Sequence, residues 1–314
     1  MNNWILALIQ AALFIIFAPL FAGWIKRVKC WLQNRRPPSL LQPYQDLRRL
    51  LSKQVVMSVD ASAVFRVAPY IVAAATLLAA IVVPLIAVNL PTTAIADVIV
   101  LAGFFALARF FLALAGMDIG TAFGGMGSSR EMTISALAEP AMLMAVFTLA
   151  MVASSTNLST VIHYVLADGM VLRPSLLFAL LSMLLVGIAE TGRIPVDNPA
   201  THLELTMIHE AMILEYSGRH LALIEWAAQL KLMLYSVLII NIFFPWGIAS
   251  ELNLVMLSTA IFAITAKLMI LGAVLAVSET IMAKMRLFRV TIFLVLALTL
   301  ALIGILSHIV LEIH

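Results

Sequence analysis

Six ionisable residues lie within long apolar stretches of this sequence or at the ends of those stretches. They are Arg109, Glu139, Glu190, Lys231, Lys267 and Glu279. A charged side chain at the centre of a membrane helix costs about 2.5–3.5 kcal/mol on insertion scales, so such residues usually face a protein interior or water. Their alternating signs predict a polar thread that holds water and passes protons. The alternative is that end-of-helix groups snorkel to the membrane surface, which fits Glu279 and, less well, Lys231.

A second group of carboxylates lies in the segment 190–218, ETGRIPVDNPATHLELTMIHEAMILEYSG. Two prolines near its start predict an extended or turn conformation there, followed by a helix with Asn198 as its N-cap. Glu204 and Glu215 are eleven residues apart, and at about 100° per residue they would share one apolar face of this helix. Burial disfavours a charged carboxylate, so the pair is predicted to exchange protons near neutral pH. The alternative is a surface helix whose acids face water.

Two short patterns are typical of ligand sites. His209-Glu210 begins like the zinc motif H-E-x-x-H, but position 213 is Ile, so the spacing predicts no metal site. The glycine-rich segment 116–130 has glycines at 116, 120 and 124, a spacing typical of close helix packing. A phosphate-binding loop follows a strand, whereas an apolar helix precedes this segment, so we expect a tight, ordered turn, with ligand binding as the alternative.

Composition excludes a water-soluble globule. Of 314 residues, 63% are hydrophobic and 11% charged, and the mean hydropathy is +1.09, whereas a soluble domain is about half apolar and a quarter charged. The single cysteine, Cys30, excludes an intramolecular disulfide and a cysteine-only iron–sulfur or zinc site. The sequence lacks the glycine motifs of nucleotide and dinucleotide binding. In a membrane protein, the net charge of +3 bears on orientation rather than on nucleic acid.

Eight apolar stretches are long enough to cross a bilayer, which predicts an all-α membrane protein forming a single domain with about eight transmembrane helices. They lie at about 4–25, 67–88, 97–116, 136–154, 174–190, 228–246, 254–277 and 290–311. The first is expected to be a retained span, because no positive charge precedes it and no A-x-A cleavage site follows.

The basic residues predict the orientation of the chain. Fifteen of the nineteen lysines and arginines fall in the loops on one side, at about 26–66, 117–135, 190–227 and 278–289, and one falls in the loops on the other. The positive-inside rule therefore puts these four loops in the cytoplasm and both termini outside the inner membrane.

The two longest of these loops carry opposite charge. The loop at about 26–66 has a net charge of +7 and the loop at about 190–227 has −4, which predicts that they pack together or face a soluble partner. The alternative is two solvated loops. The spans do not divide into similar halves, which argues against a carrier built from inverted repeats.

In this order, the motifs resemble the eight-helix membrane subunit, of the subunit 1 type, that joins the membrane arm to the peripheral arm in respiratory complex I and in group 4 NiFe hydrogenases, including formate hydrogenlyase. The resemblance covers nearly the whole chain. Its main signature is E-x-x-R-x-P-x-D at 190–197, E-L at 204–205, E-Y-S-G at 215–218 and E-W at 225–226. Supporting segments are N-R-R-P at 34–37, Asp60 with Phe65 and Ala68-Pro69, and S-S-R at 128–130. The first turn departs from the family pattern R-x-G-P-N, and about three extra residues separate Glu204 from Glu215.

The resemblance implies a coupling subunit with no catalytic residue, cofactor or metal of its own. The implied proton path comprises Glu139, Glu190, Glu204, Glu215, Glu225, Lys231 and Lys267. The residues implied in docking the peripheral arm or in ordering loops are Arg35, Arg36, Asp60, Arg130, Arg193 and Asp197.

The implied partners are a small subunit with a 4Fe–4S cluster, a large hydrogenase-like subunit that carries NiFe in the hydrogenase members, antiporter-like membrane subunits and the lipid bilayer, and no nucleic acid. The stretch 194–218, together with Glu139 before Pro140, resembles the hydrogenase branch more than the quinone-reducing enzymes, which makes quinone a doubtful ligand. Two alternatives stay open. One is the same subunit in a quinone-reducing or hydrogenase-less assembly, and the other is a self-standing secondary transporter.

Overall fold

The computed structural model describes residues 3–88, 90–168, 173–197, 207–249, 254–283, 285 and 287–312. Nearly all of this part of the chain is helical. The α-helices are α1 (Asn3–Leu32), α2 (Gln42–Ser52), α3 (Ala63–Val82), α4 (Val98–Asp118), α5 (Ala122–Ala153), α6 (Leu158–Asp168), α7 (Pro174–Glu190), α8 (His209–Ile213), α9 (Gly218–Phe243), α10 (Leu254–Ile281) and α11 (Leu287–Ser307). A 3₁₀ helix at Pro91–Ile95 precedes α4, and a π-helical turn at His308–Glu312 follows α11.

Side chains at the helix starts explain where several helices begin. Ser62 accepts a hydrogen bond from the backbone N–H of Val64 at the start of α3. Asp97 does the same for α4 and Thr121 for α5. A capping side chain satisfies an N–H group that has no partner within the helix. These short polar residues therefore set the helix boundaries within a mostly apolar chain.

The predicted fold class is confirmed. Within the described ranges, seven helices are long and apolar enough to cross a membrane, namely α1, α3, α4, α5, α9, α10 and α11. The predicted span at about 174–190 is α7, which has 17 residues, at the short end of the spanning range. The helices also extend into the predicted loops, since α5 begins at Ala122 and α9 at Gly218.

Helix α9 lies at the centre of the helix bundle formed by this chain. Nearly every residue from Leu230 to Phe243 is buried, because α1, α3, α6 and α7 pack around it. Helices α5, α7 and α11 pack against one another, α4 lies between α3 and α5, and α10 packs chiefly against α1. The helix that reads as one of several apolar spans in the sequence is therefore the one that contacts most of the others.

Different chain segments meet at the two ends of the assembly. At one end, Val56 donates its backbone N–H to Ser217 at 2.8 Å, and Arg193 donates to Glu279 at 3.0 Å. At the other end, the N–H of Ala249 donates to the carbonyl of Ile86 at 2.9 Å. We call the first end the basic side, because it carries the loops predicted to be cytoplasmic, and the second the opposite side.

The glycine-rich segment differs from its prediction. Only residues 119–121 separate α4 from α5, so most of the expected turn at 116–130 is helical, because Thr121 caps α5 immediately after α4 ends. The close-packing interpretation is confirmed. A Cβ added to Gly124 would lie 2.1 Å from the carbonyl oxygen of Gly116, and one added to Gly116 would lie 2.6 Å from Ser128 Oγ.

Candidate functional site

Charged side chains from four helices meet in the interior of the protein. Arg109, on α4, is 5% exposed. Its guanidinium donates to Glu139 Oε1 at 2.6 Å and to Glu190 Oε2, and its Nε lies 3.6 Å from Glu131 Oε1. Lys231 Nζ, on α9, lies 2.9 Å from Glu190 Oε2. We call these five residues the central network.

Helix geometry explains how the network forms. Glu131, Ser135 and Glu139 are spaced four residues apart on α5, so they lie on one face, one above the other. Ser135 accepts a hydrogen bond from Arg109 and donates to Glu139 at 2.9 Å. This face meets Arg109 because the glycines described above let α4 and α5 approach closely. The result is a continuous chain of polar atoms through apolar helices.

Two adjoining cavities connect this network to the basic side. The central cavity has a volume of about 80 Å³ and is lined by Arg109, Glu131, Glu190 and Lys231, among others. The basic-side cavity has a volume of about 510 Å³ and lies between α1, α2, α9 and residues 191–197. Five residues, Thr191, Gly192, Asp197, His209 and Ala228, line both cavities. A polar cavity needs only about 10–15 Å³ to hold a water molecule, so both have room for water beside ionisable groups.

Acidic and basic side chains share the wall of the basic-side cavity. The acidic ones are Asp46, Asp197, Glu210, Glu225 and Glu279, and the basic ones are Lys26, Lys29 and Arg193, with His209 beside them. Within the described ranges, no group of three His, Cys, Asp or Glu side chains has the arrangement of a metal site. The chemistry that this arrangement allows is proton exchange between carboxylates and water.

Glu279 forms a second buried ion cluster. It is 5% exposed, and its carboxylate lies 2.8 Å from Lys29 Nζ and 3.0 Å from Arg193 Nη1. Snorkelling is therefore the wrong interpretation of Glu279, because α1 and the loop after α7 bring two cations to it. Snorkelling is also wrong for Lys231, which pairs with Glu190 in the central network.

Asp197 and Arg130 hold the two ends of the segment 198–206, which lies outside the described residues. Asp197 is 3% exposed and accepts hydrogen bonds from the backbone N–H groups of Ile208 and His209 at 3.3 and 3.1 Å. Arg130 Nη1 donates to the carbonyl of Met207 at 2.8 Å. These hydrogen bonds hold the backbone at Ile208 against the carboxylate of Asp197, which lies eleven residues earlier in the sequence.

The predicted carboxylate face is wrong. Glu204 and the predicted cap Asn198 lie outside the described residues, but the described helix α8 begins only at His209 and ends at Ile213. The N–H groups of Ile208 and His209, at the start of α8, bind Asp197, so a helix does not run through Ile208. Glu215 follows α8 in a turn and is exposed. Glu215 therefore does not lie on the helix that was predicted to begin at Asn198.

The E-Y-S-G turn has a structural role. Ser217 Oγ exchanges hydrogen bonds with the N–H and carbonyl of Val56, both at 2.8 Å. Gly218 has φ +56, and a Cβ there would lie 2.6 Å from the carbonyl of Gln54. The ring of Tyr216 stacks on that of Phe65, with 3.9 Å between the ring centroids. Burial and the nearby Asp118 raise the pKa of the Tyr216 hydroxyl. The turn therefore joins the two long basic-side loops.

The remaining predicted residues lie apart from the central network. Glu225 lines the basic-side cavity. Lys267 Nζ donates to the carbonyls of Phe244, at 2.6 Å, and Trp246, which lie beyond the end of α9. Arg35, Arg36 and Asp60 are exposed on the basic side.

Sequence reasoning missed two members of these clusters. Glu131 lies two turns before Glu139 on α5, so helical spacing alone could have assigned it to the same face. Lys29 was counted only among the loop charges, and no local pattern marks it as the partner of Glu279. That pairing depends on how α1 packs against α10.

The fold and this site define a multi-pass helical membrane protein with a buried ion network beside a cavity on one side. The family model described as NADH dehydrogenase matches residues 5–309. The chain belongs to this family and is of the subunit 1 type. This result confirms the resemblance that its motifs indicated.

Three relatives are similar to this chain in sequence over most of its length. The chain is 34% identical over 285 residues to hydrogenase-4 component C of Escherichia coli (strain K12), covering 90% of this chain and 88% of the relative. It is 34% identical over 284 residues to formate hydrogenlyase subunit 4 of the same strain, covering 89% and 90%. It is 24% identical over 248 residues to an NADH-quinone oxidoreductase subunit of Salinibacter ruber (strain DSM 13855 / M31), covering 76% and 69%.

One solved structure with a similar fold is a chain of the membrane-bound sulfane sulfur reductase, an archaeal respiratory membrane complex. It superposes with a TM-score of 0.80 at 18% identity and covers 96% of this chain and 98% of that one. At this identity the likeness establishes the fold alone.

Proposed function

We propose that this chain is the membrane subunit that joins a peripheral redox arm to an ion-translocating membrane assembly, and that its central network relays protons between them. Identity to subunits of hydrogenase-4 and formate hydrogenlyase is 34%, against 24% to the NADH-quinone oxidoreductase subunit. This difference supports a hydrogenase-type arm over a quinone-reducing one. The redox metals would belong to the partners, a small 4Fe–4S subunit and a large hydrogenase-like subunit.

The observation that carries this proposal is the position of Glu190. Its carboxylate lies between Arg109 and Lys231 and lines the central cavity, which adjoins the basic-side cavity. An arginine does not release its proton in proteins, so Arg109 orients the carboxylates, while Glu190, Lys231 and cavity water exchange protons. Glu225, in the wall of the basic-side cavity, is the proposed entrance to this route.

The exit is proposed at Glu139. Its side chain is 36% exposed although it lies within the membrane-spanning α5. A charged group is costly against lipid, so this edge is suited to a neighbouring membrane subunit of the antiporter-like type. The network has three carboxylates and two cations, so one additional proton would neutralise it.

The six residues expected to dock the arm or order loops divide into two sets. Arg35, Arg36 and Asp60 are exposed on the basic side, so we propose them as docking residues in the cytoplasm. Arg130, Arg193 and Asp197 bind other parts of this chain, so their proposed role is loop ordering. An exposed arginine pair suits an acidic surface on the arm.

The decisive experiment compares Glu190→Gln with Glu215→Gln in the intact complex. The amide keeps the size of the side chain but removes its titrating proton. We expect Glu190→Gln to lower proton-coupled turnover in membranes about 100-fold, the lower end of the range for loss of a proton-transfer group. The exposed Glu215 variant should keep wild-type turnover.

Artificial-dye activity of the same preparations is the control for assembly. It depends on the redox centres of the arm and should survive in both variants. Wild-type coupled turnover in Glu190→Gln would contradict the relay, and equal loss of dye activity would point to misassembly.

Docking has a separate test. Charge reversal of Arg35 and Arg36 to Glu should release the peripheral subunits and leave this chain in the membrane. Blue-native gels would measure this, with Arg48→Glu as an exposed control on α2. An intact complex in the double variant would contradict docking at this loop.

A further inference from the structure

An apolar groove runs along α1 on the face that meets α10. It has a volume of about 280 Å³, and its α1 wall includes Leu13, Phe17 and Trp24. Leu268 of α10 forms part of the other wall, and Thr265 at the rim is exposed. The groove is therefore open toward the surrounding bilayer rather than filled by the protein's own core.

The length of the groove matches an acyl chain. Leu13 and Trp24 are eleven residues apart, which corresponds to about 16 Å of helix at 1.5 Å per residue. The hydrocarbon core of a bilayer is about 30 Å thick, so the groove extends over about half of it. This length fits a single acyl chain that enters from the basic side, and Leu85 and Ile86, on the opposite side, line the far end of the groove.

Close helix packing separates this groove from the basic-side cavity. A Cβ added to Gly272 of α10 would lie 3.0 Å from both Phe21 and Trp24 and 3.3 Å from Ile25. Trp24 lines the groove, whereas Ile25 lines the basic-side cavity. The occupant of the groove is accordingly a molecule of the bilayer and not one in transit to the cavity.

The same stripe of α1 ends in groups that suit a phosphate. Arg27 and Trp31 lie three and seven residues beyond Trp24 and so continue its helical face. The Arg27 guanidinium carbon lies 5.3 Å from the centre of the Trp31 ring, and its Nε is buried without a hydrogen-bond partner in the described structure. Tryptophan is enriched at the membrane surface, and a guanidinium matches the geometry of a phosphate.

We propose that this groove binds one anionic phospholipid of the leaflet on the basic side, with an acyl chain along Leu13–Trp24 and the headgroup phosphate at Arg27. The surrounding loop, with its net charge of +7, favours an anionic over a zwitterionic headgroup. The site touches no member of the central network.

The experiment measures the lipid that remains bound to the purified complex. The complex is reconstituted in phosphatidylcholine vesicles that contain phosphatidylglycerol, repurified in mild detergent and extracted for lipid mass spectrometry. We expect one phosphatidylglycerol per copy of this chain. Arg27→Gln should weaken its retention about fivefold, the effect of one basic residue at a lipid surface, and Thr265→Phe should displace it by filling the groove.

Two matched variants serve as controls. Arg66→Gln removes an exposed charge at the start of α3, and Ile270→Phe adds the same ring to α10 at an exposed position away from the groove. Both should retain the lipid. Retention unchanged in Arg27→Gln or in Thr265→Phe would overturn the proposal. Equal retention of phosphatidylcholine, or a quinone in place of the phospholipid, would also overturn it.

Discussion

The two ends of this protein satisfy their buried polar groups by different means. On the basic side, ion pairs such as Glu279 with Lys29 lie beside a cavity with room for water. On the opposite side, neutral amides bind the backbone directly. Gln10 donates to the carbonyl of Val83 at 3.4 Å and accepts from the N–H of Ile86 at 3.1 Å, and Asn241 donates to the carbonyl of Pro84 at 2.6 Å.

This difference indicates where a proton could travel. Backbone polar groups at membrane depth must be satisfied within the protein. On the opposite side two uncharged amides do so, together with Lys267, whose ammonium binds two carbonyls after α9. Titratable residues are instead concentrated between the basic-side cavity and Glu139 on α5. We therefore expect protons to enter this chain from the basic side and to leave sideways into a neighbouring subunit.

Arg109→Gln should have the largest effect. It leaves three carboxylates with Lys231 as their only cation in the network, and removing one partner of a buried ion pair costs about 3–5 kcal/mol. Thermal unfolding of the detergent-solubilised complex would measure the loss, with the exposed Arg66→Gln as a control. The double variant Arg109→Gln/Glu139→Gln should be less destabilised than the single one. If it is more destabilised, the two residues do not act as a pair.

A smaller loss of stability, up to about 3 kcal/mol from overpacking, is expected for Gly124→Ala. Its Cβ would lie 2.1 Å from the carbonyl of Gly116, so α4 and α5 would have to move apart. The neighbouring Gly125→Ala is the matched control, because a Cβ there meets nothing within 4 Å. Both the stability and the proton-coupled turnover should fall in Gly124→Ala, and neither should fall in Gly125→Ala. Equal effects in both variants would mean that helix propensity, and not packing, dominates.

On the opposite side, Gln10→Leu should cost about 1–3 kcal/mol, the penalty for a buried polar group left without its partner. The exposed Leu8→Gln would be the control on the same helix. The pH dependence of coupled turnover should stay that of the wild type in Gln10→Leu. A shifted pH profile would show that this end also belongs to the proton route.

Lys267→Gln should have the smallest effect on coupling. Lys267 donates to backbone carbonyls after α9, so we expect a modest loss of stability and a coupled turnover within about twofold of wild type, far from the ~100-fold that a proton-transfer group contributes. Lys267→Arg should retain the carbonyl contacts. A tenfold loss of turnover in Lys267→Gln with unchanged stability would instead support the predicted proton path through Lys267.

The sequence by itself determined the membrane class, the approximate positions of the membrane spans and the family. These properties follow from local physics, since the length of an apolar run and the cost of a buried charge do not depend on how the helices pack. Helical spacing would also have placed Glu131 on the face of α5 that carries Glu139, although Glu131 was not among the predicted residues. The charges at Arg109 and Glu190 were correctly assigned to the interior.

Only the tertiary structure decided which charges meet. Glu204 and Glu215 were expected on one helix, but the N–H groups of Ile208 and His209 bind Asp197 instead, and no periodicity predicts that competition. Likewise, Glu279 lies at the end of an apolar stretch, where a charged side chain often snorkels to the membrane surface. In the structure it instead pairs with Lys29 of α1 and Arg193 of the loop after α7. The rotation and crossing of the helices choose these partners. The glycine spacing at 116–124 predicted that two helices would pack closely there, but no local pattern predicts which charged side chains that packing brings together.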